Sequence, residues 1–416
     1  MKSYEYVVIG SGAGGAPLAD ILSEHNKDIL IIDKGEKLTL KEAYKGYDAP
    51  RYDLFTPSSQ KGNLYNGFEI PRIFGVGGTT LVALGNAVRT LVPELDKLGI
   101  KLDQEFDEIE SELEIAKLPS SAIGERSKKF FDKSKSLGLE PHIMPKMIDT
   151  SICKKCGKCN MGCAFAAKKT SLYYIDKAMK QGAHIESNTE IDSILKRNSK
   201  YILKGRKEGE GYQISSKNVI VSAGALATPI ILANSNIDVP MNLFVDPFVT
   251  IGGYIEESLS EEIQMSTYVS FDNYIISPYY SERICNILIK RGIKASRENI
   301  MGLMIKIKDD SIGSVTKGGI SKILTSKDVQ NLSDGIAIAA KILNLCGITD
   351  IVSTEGIGAH PGGTAPIGIT LDNTLRTKNG IYVCDASVLP VAPGAPPILT
   401  IMALSKRLGT YLINKR

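Results

Sequence analysis

The feature that most constrains this chain is a glycine turn held between a strand and a helix. Tyr4-Glu5-Tyr6-Val7-Val8-Ile9 is a short, largely apolar run, and Gly10-Ser11-Gly12-Ala13-Gly14-Gly15 follows it directly. A helix is expected from there to about Glu24, and a second apolar strand over Asp28–Asp33 ends in an acid. A GxGxxG run alone is a weak signal, but the strand–turn–helix context makes it specific. Its glycines permit a tight turn and let the backbone approach a pyrophosphate at the positive end of the helix. Asp33 lies at the separation suited to a ribose hydroxyl pair. Gly10, Gly12, Gly14, Gly15 and Asp33 are therefore candidate nucleotide contacts, and the expected fold class is α/β.

Composition narrows the function. The 416 residues suffice for two or three packed lobes. Lys and Arg number 50 against 46 Asp and Glu, a balance too even for a nucleic-acid surface. The longest apolar candidate, Val219–Ala233, is broken by Ser222, Gly224, Thr228 and Pro229, so no membrane span is expected. The N-terminal residues run straight into the strand–turn motif without a cleavage pattern. The expected location is cytoplasmic, with peripheral docking to a membrane complex left open.

Two further segments separate FAD from NAD. Phe74-Gly75-Val76-Gly77-Gly78-Thr79-Thr80, continuing to Gly85-Asn86-Ala87, offers a second glycine loop whose N–H groups suit a phosphate or a flavin edge. On its own it reads equally as a tight loop. Near the C-terminus, Gly380–Ser387 reads as a strand ending at Asp385, and a helix starts at about Ile398 after Pro396-Pro397. In two-domain flavoproteins such an Asp faces the ribityl–phosphate region and such a helix end faces the N1–C2=O edge, where its positive pole stabilises reduced flavin. A NAD enzyme needs no such returning segment. The candidates added here are Gly77, Gly78, Thr79, Asn86, Asp385 and Pro397.

With these pieces the chain resembles a short glucose-methanol-choline (GMC) oxidoreductase. The likeness rests on the Gly10 turn, Gly77-Gly78-Thr79, Ser222-Ala223-Gly224-Ala225-Leu226-Ala227-Thr228-Pro229, His360-Pro361-Gly362-Gly363-Thr364 and the segment from Asp385 to Ile401. It implies a Rossmann-like FAD-binding domain assembled from discontinuous segments (1–95, 165–239 and 346–416). A second, α+β substrate domain built on an antiparallel sheet takes 96–151 and 240–345. It also implies hydride transfer from an alcohol, polyol or sugar to the flavin, with His360 taking the hydroxyl proton. The other histidines, His25, His142 and His184, read as surface or packing residues. A structural place in a Pro/Gly loop is the alternative for His360. The chain departs from the family at Pro396, where an Asn or His is usual. Proline supplies no donor, so either His360 works alone, another group substitutes, or the reaction differs. The family's covalent flavin link uses a histidine near the Gly-Gly loop; none lies there, so non-covalent FAD is expected.

Four of the seven cysteines crowd into Cys153-x-x-Cys156-x-x-Cys159-x-x-x-Cys163. That spacing is close to one that wraps a 4Fe-4S cluster, although Ala164 replaces the usual trailing proline. Zinc and a thiol staple are the alternatives. Residues 152–164 are thus expected to form a cluster-binding segment carrying electrons to or from the flavin. Lys154, Lys155, Lys158, Lys168 and Lys169 around it read as solvation of an anionic cluster or as a docking patch for an electron-carrier protein or partner subunit. A reductase running the other way, or a non-catalytic electron-transfer subunit, also fits these residues.

Elsewhere, helices are expected over Asp103–Ala116, Ser171–Gln181 and Asp328–Leu345, the last capped by Ser326. Strands are expected at Val219–Ser222, Ser266–Phe271, Tyr274–Tyr279 and Met301–Ile307.

Overall fold

Four consecutive apolar residues, Tyr6 to Ile9, are all buried in the strand Ser3–Ile9, so both of its faces are covered, as in the interior of a parallel sheet. The structure is a computed structural model that describes residues 1–37, 56–57 and 70–415. Ser3–Ile9 lies between Ile29–Ile32 and Glu210–Val221, parallel to both, with Val8 opposite Ile31 and Ile220. His184–Glu186 extends the sheet beyond Ile29–Ile32. The long strand Glu210–Val221 changes partners along its length. Its first half pairs antiparallel with Lys200–Lys207, which pairs in turn with Thr189–Arg197. Its last residues, Ile220 and Val221, pair parallel with Tyr382 and Val383. Segments from the two ends and the middle of the chain therefore share one sheet.

The helices Ala16–Glu24, Leu172–Lys180 and Ile398–Asn414 belong to this layer, and the first packs against the other two. A single hydroxyl fixes the first and last together: Ser405 Oγ accepts from Leu18 N at 3.0 Å and donates to Gly14 O at 2.6 Å.

A second sheet is antiparallel throughout, in the order Val352–Ser353, Pro247–Tyr254, Ile300–Ile307, Tyr274–Pro278, Thr267–Ser270, Pro141–Ile143. The two-residue repeat of its strands sorts the side chains. Val249, Ile251, Leu303 and Ile305 pack with Ala339 and Ile342 of the helix Ser326–Leu345. Phe248, Ile275 and Met304 occupy the opposite face with Met144 and Met265. This is the mixed α/β architecture expected, with a discontinuous Rossmann-like unit and an antiparallel second unit.

Two boundaries differ from expectation. Within 96–151, Phe106 and Ile109 of the helix Asp103–Glu112 sit in the core of the first sheet, whereas Phe130 of the helix Glu125–Ser136 sits in that of the second. Past residue 346, Val352–Ser353 and Ile357–Gly358 still pair with Pro247–Tyr254. Helical period says which face is apolar, not which core receives it.

The helix expected from Asp328 starts two residues earlier, at Ser326, and is capped by Thr325 rather than Ser326. Thr325 Oγ1 accepts from Asp328 N, and Thr325 N donates to the Asp328 carboxylate at 2.9 Å, a reciprocal capping box. Thr325→Ala is expected to remove about 1 kcal/mol of stability. Urea unfolding should show a lower midpoint with an unchanged slope, and Thr325→Ser should keep most of the wild-type stability because its hydroxyl still accepts from Asp328 N.

Candidate active site

Backbones from three distant parts of the chain meet at the C-terminal ends of the parallel strands. Gly10, at φ +103°, has no room for a side chain, because a Cβ there would overlap the Ser222 carbonyl. A Cβ on Gly14 would overlap the Cys384 carbonyl, and one on Gly15 the Gly10 carbonyl. Gly12 differs. The nearest atom to its Cβ position is Gly78 Cα at 3.9 Å, so a side chain there would project between the two glycine loops.

Ser11 joins those loops. Its Oγ donates to Asp33 Oδ2 at 2.5 Å and accepts from Gly77 N at 2.9 Å. Asp33 also accepts from Ser11 N and from Gly35 N, so the expected ribose acid is a buried anchor of the turn as well. Thr79 is exposed on a short 3-10 turn, Gly78–Leu81. Asn86 is buried between Met265 Sδ, to which its Nδ2 donates at 3.3 Å, and the Lys146 ammonium, which donates to its Oδ1. Asp385 accepts from Gly224 N at 2.8 Å, Thr228 Oγ1 at 2.6 Å and Ser387 N at 2.7 Å, tying the returning segment to the Ser222–Pro229 loop.

The fit to a dinucleotide can be tested on the donors left over. Among the described residues, the N–H groups of Gly12, Ala13 and Gly14 have no acceptor. The first helix carries no side-chain cap and no acid in its first turn. The helix that follows Pro397 is likewise uncapped, although Leu399 and Thr400 in its first turn are fully buried. Buried or clustered orphan donors need an acceptor. Anionic or carbonyl groups of FAD at these two helix ends supply one.

The second cluster surrounds His360. Its Nδ1 lies 3.0 Å from Asp246 Oδ2, and its backbone N donates to Val245 O at 3.0 Å. Asp246 is fully buried, sits in the left-handed region at φ +45°, and accepts through Oδ1 from Gly394 N at 3.1 Å. One carboxylate thus holds both the histidine motif and the loop leading to Pro396. Asp309, paired with Lys322 at 2.7 Å, accepts in turn from Asp246 N. Thr364 Oγ1 donates to Ala225 O at 2.8 Å and pins the far end of the motif. Among the described residues Nε2 of His360 has no partner. With Nδ1–H donated to Asp246, that nitrogen is a free base. Burial and the positive charge of Lys306 hold the imidazole well below its usual range, so the ring is neutral at pH 7. Burial raises the Asp246 carboxyl, and Lys306 opposes that shift.

Asp246 and Lys306 escaped sequence reasoning. Each is a lone charge in an apolar run, Leu243–Phe248 and Ile300–Ile307 respectively, and that was the available signal.

The cysteine segment does not match expectation. Among the described residues no group of three or more His, Cys, Asp or Glu is placed to hold a metal ion. Cys159 is buried with Ile123, Ile148 and Ile263, and burial raises the Cys153 and Cys159 thiols, which favours the protonated form over the thiolate a metal needs. Lys168, expected on a surface patch, is buried and donates to the carbonyls of Leu81, Ala83 and Cys159 at 2.8, 2.6 and 2.7 Å. It fastens the segment to the loop that follows Gly77–Thr80. The four thiols as placed do not fit an iron–sulfur cluster.

Comparison with known proteins agrees with the fold. The N-terminal GMC oxidoreductase family model matches residues 65–248 and the C-terminal one residues 324–405. A protein of Methanocaldococcus jannaschii, itself uncharacterized, is 35% identical over 97% of this chain and 98% of its own length. A long-chain-alcohol oxidase of Arabidopsis thaliana is 22% identical over 98% of this chain and 67% of its own. Among solved structures, pyridoxine 4-oxidase from Mesorbium loti superposes with a TM-score of 0.72 at 14% identity, covering 99% of this chain and 100% of that one. The chain belongs to the GMC oxidoreductase family. It is an FAD-dependent oxidoreductase of a family that acts on CH–OH groups. No helix among the described residues is long and apolar enough to cross a membrane.

Gly12→Val is expected to leave the fold intact and abolish FAD retention, because only open space and Gly78 face the added side chain. Gly14→Val should instead unfold the protein, since it collides with backbone. Flavin content and far-UV circular dichroism of the purified variants separate the two outcomes.

Proposed function

We propose that this protein oxidises a primary alcohol with an apolar body, using non-covalent FAD and His360 as the proton acceptor. The reading rests on one observation: a half-buried, neutral imidazole whose Nδ1 is engaged by Asp246 and whose Nε2 has no partner among the described residues. The N–H groups of Gly12, Ala13 and Gly14 would bind the pyrophosphate, Asp33 the ribose, and Gly77, Gly78, Thr79, Asn86 and Asp385 would border the ribityl and ring portions. The helix start after Pro397 would face the ring's carbonyl edge. Bound FAD would supply the hydride acceptor for the carbinol carbon. His360 Nε2 takes the hydroxyl proton, and Asp246 keeps the ring in the tautomer that can accept it and steadies the imidazolium that forms.

The apolar body is inferred from the second sheet. The face bearing Phe248, Ile275 and Met304 packs with Ala359, the residue before His360. Such surroundings favour an alkyl or aryl alcohol over a sugar, and the alcohol-oxidase relative points the same way.

His360→Ala should lower anaerobic flavin reduction by octan-1-ol by roughly a hundredfold or more while FAD is retained. Because the imidazole is held below its usual range, the wild-type rate should fall only as pH drops well under 6.5, where the ring gains its proton. An unchanged rate in the variant would place the base elsewhere.

A second reading follows from the spacing of Cys153, Cys156, Cys159 and Cys163, in which electrons leave through an iron–sulfur cluster to a carrier protein. The burial of Cys159 and the raised thiols weigh against it, and no step is assigned to it. Anaerobically purified protein is expected to hold FAD with less than one iron per chain. Several irons per chain would reinstate the cluster.

A further inference from the structure

We propose that Lys306 is a catalytic residue of this site, donating a hydrogen bond to the substrate oxygen that His360 deprotonates and so supplying the contact that Pro396 cannot. The inference rests on the alcohol-oxidation reading and deepens it.

The placement of Lys306 carries the case. It lies in the strand Ile300–Ile307, cross-strand from Phe248 on one side and Ile275 on the other. The two-residue repeat puts it on the same face as Met304, the face that packs with Ala359 next to His360. Asp246 stands two residues before Phe248, a diagonal neighbour across the ladder. The end of the same strand reaches the other half of the site, because the Cβ position of Gly394 contacts Lys308 Cβ at 3.0 Å, two residues before Pro396. Lys306 is therefore flanked by the histidine, its carboxylate and the loop that lacks a donor.

Its burial calls for an explanation. Lys306 is 2% exposed, yet among the described residues its ammonium makes no hydrogen bond and no ion pair within 4 Å. The other buried lysines among the described residues are all satisfied: Lys146 and Lys168 by backbone carbonyls, Lys322 by Asp309 and Lys406 by Glu108 and Glu112. An ammonium on so buried a side chain, with no hydrogen-bond partner, is poorly compensated. One aimed at an oxygen that becomes anionic during reaction gains its partner at the transition state. The charged groups that face it are Asp246 and His360, with Lys308, Asp309 and Lys322 grouped behind Asp246 and apolar Phe248 and Ile275 on either side. Burial lowers its pKa to about 8, partly offset by Asp246. The donor is present below that pH and lost as pH rises through it.

No redox step is added. The hydroxyl proton still goes to His360 Nε2 and the hydride to FAD, while Lys306 holds the oxygen between them.

The test uses the FAD-loaded enzyme, octanoate as an anionic probe and octanamide as a neutral one, with binding read from the oxidised flavin spectrum. Lys306→Met should weaken octanoate binding tenfold or more with octanamide binding unchanged. It should also lower flavin reduction by octan-1-ol at least tenfold and erase an alkaline limb near pH 8. Lys306→Arg should keep octanoate binding and move that limb beyond the range tested. Octanoate binding and an alkaline limb that are unchanged in Lys306→Met would overturn the proposal. Should that variant fail to retain FAD, an unmoved limb in Lys306→Arg would overturn it alone. His360→Ala keeps the two readings apart. Lost reduction with retained octanoate binding supports both, whereas retained reduction sinks the His360 reading whatever the octanoate result.

Discussion

The close approach of three backbones, Gly10–Gly15, Ser222–Gly224 and Cys384–Asp385, governs the rest of the architecture. Carbonyl groups of Ser222 and Cys384 occupy the places where side chains of Gly10 and Gly14 would stand. The turn can therefore close only if the first strand, the end of Glu210–Val221 and the returning C-terminal segment are all in register. Ser405 and Asp385 then lock the surrounding helices onto that junction through hydrogen bonds to backbone groups. With the glycine carbonyls and helix starts packed so tightly, the N–H groups of Gly12, Ala13 and Gly14 are left without an acceptor among the described residues.

The chemical site is built by a comparable economy of groups. Asp246 links the start of the second sheet to His360 and to Gly394, so that sheet and the two C-terminal loops cannot move independently. Burying a carboxylate costs free energy unless its lone pairs are filled. Here they are filled by an imidazole and a backbone amide, with the charges of Lys306 and Lys322 nearby. The same desolvation keeps His360 neutral, the state in which an imidazole works as a base.

The cysteine segment shows how sequence spacing and tertiary environment can diverge. Its pattern suits metal ligation, but Lys168 turns inward to three carbonyls and Cys159 packs among isoleucines. Ligation requires thiolates converging on one point. Spacing constrains only how far apart the thiols are along the chain.

By itself the sequence determined the elements whose signal is local. Strand, glycine turn, helix and acid between Ser3 and Asp33 have a fixed order and period, and so do the helices at Leu172, Ser326 and Ile398. Resemblance of His360-Pro361-Gly362-Gly363-Thr364 to the family's motif, rather than order or period, marked His360 as the candidate base. Tertiary structure decided what depends on distant contacts. It chose which core receives Phe106 and which Phe130, and it turned Lys168 from surface to interior. It also set Asp246, 114 positions from His360 in the chain, against that imidazole, and Lys306 beside both. A lone charge in an apolar strand announces that something must compensate it. Only the packing of the two sheets determines what that is, because electrostatic partnership acts through space and leaves no periodicity along the chain.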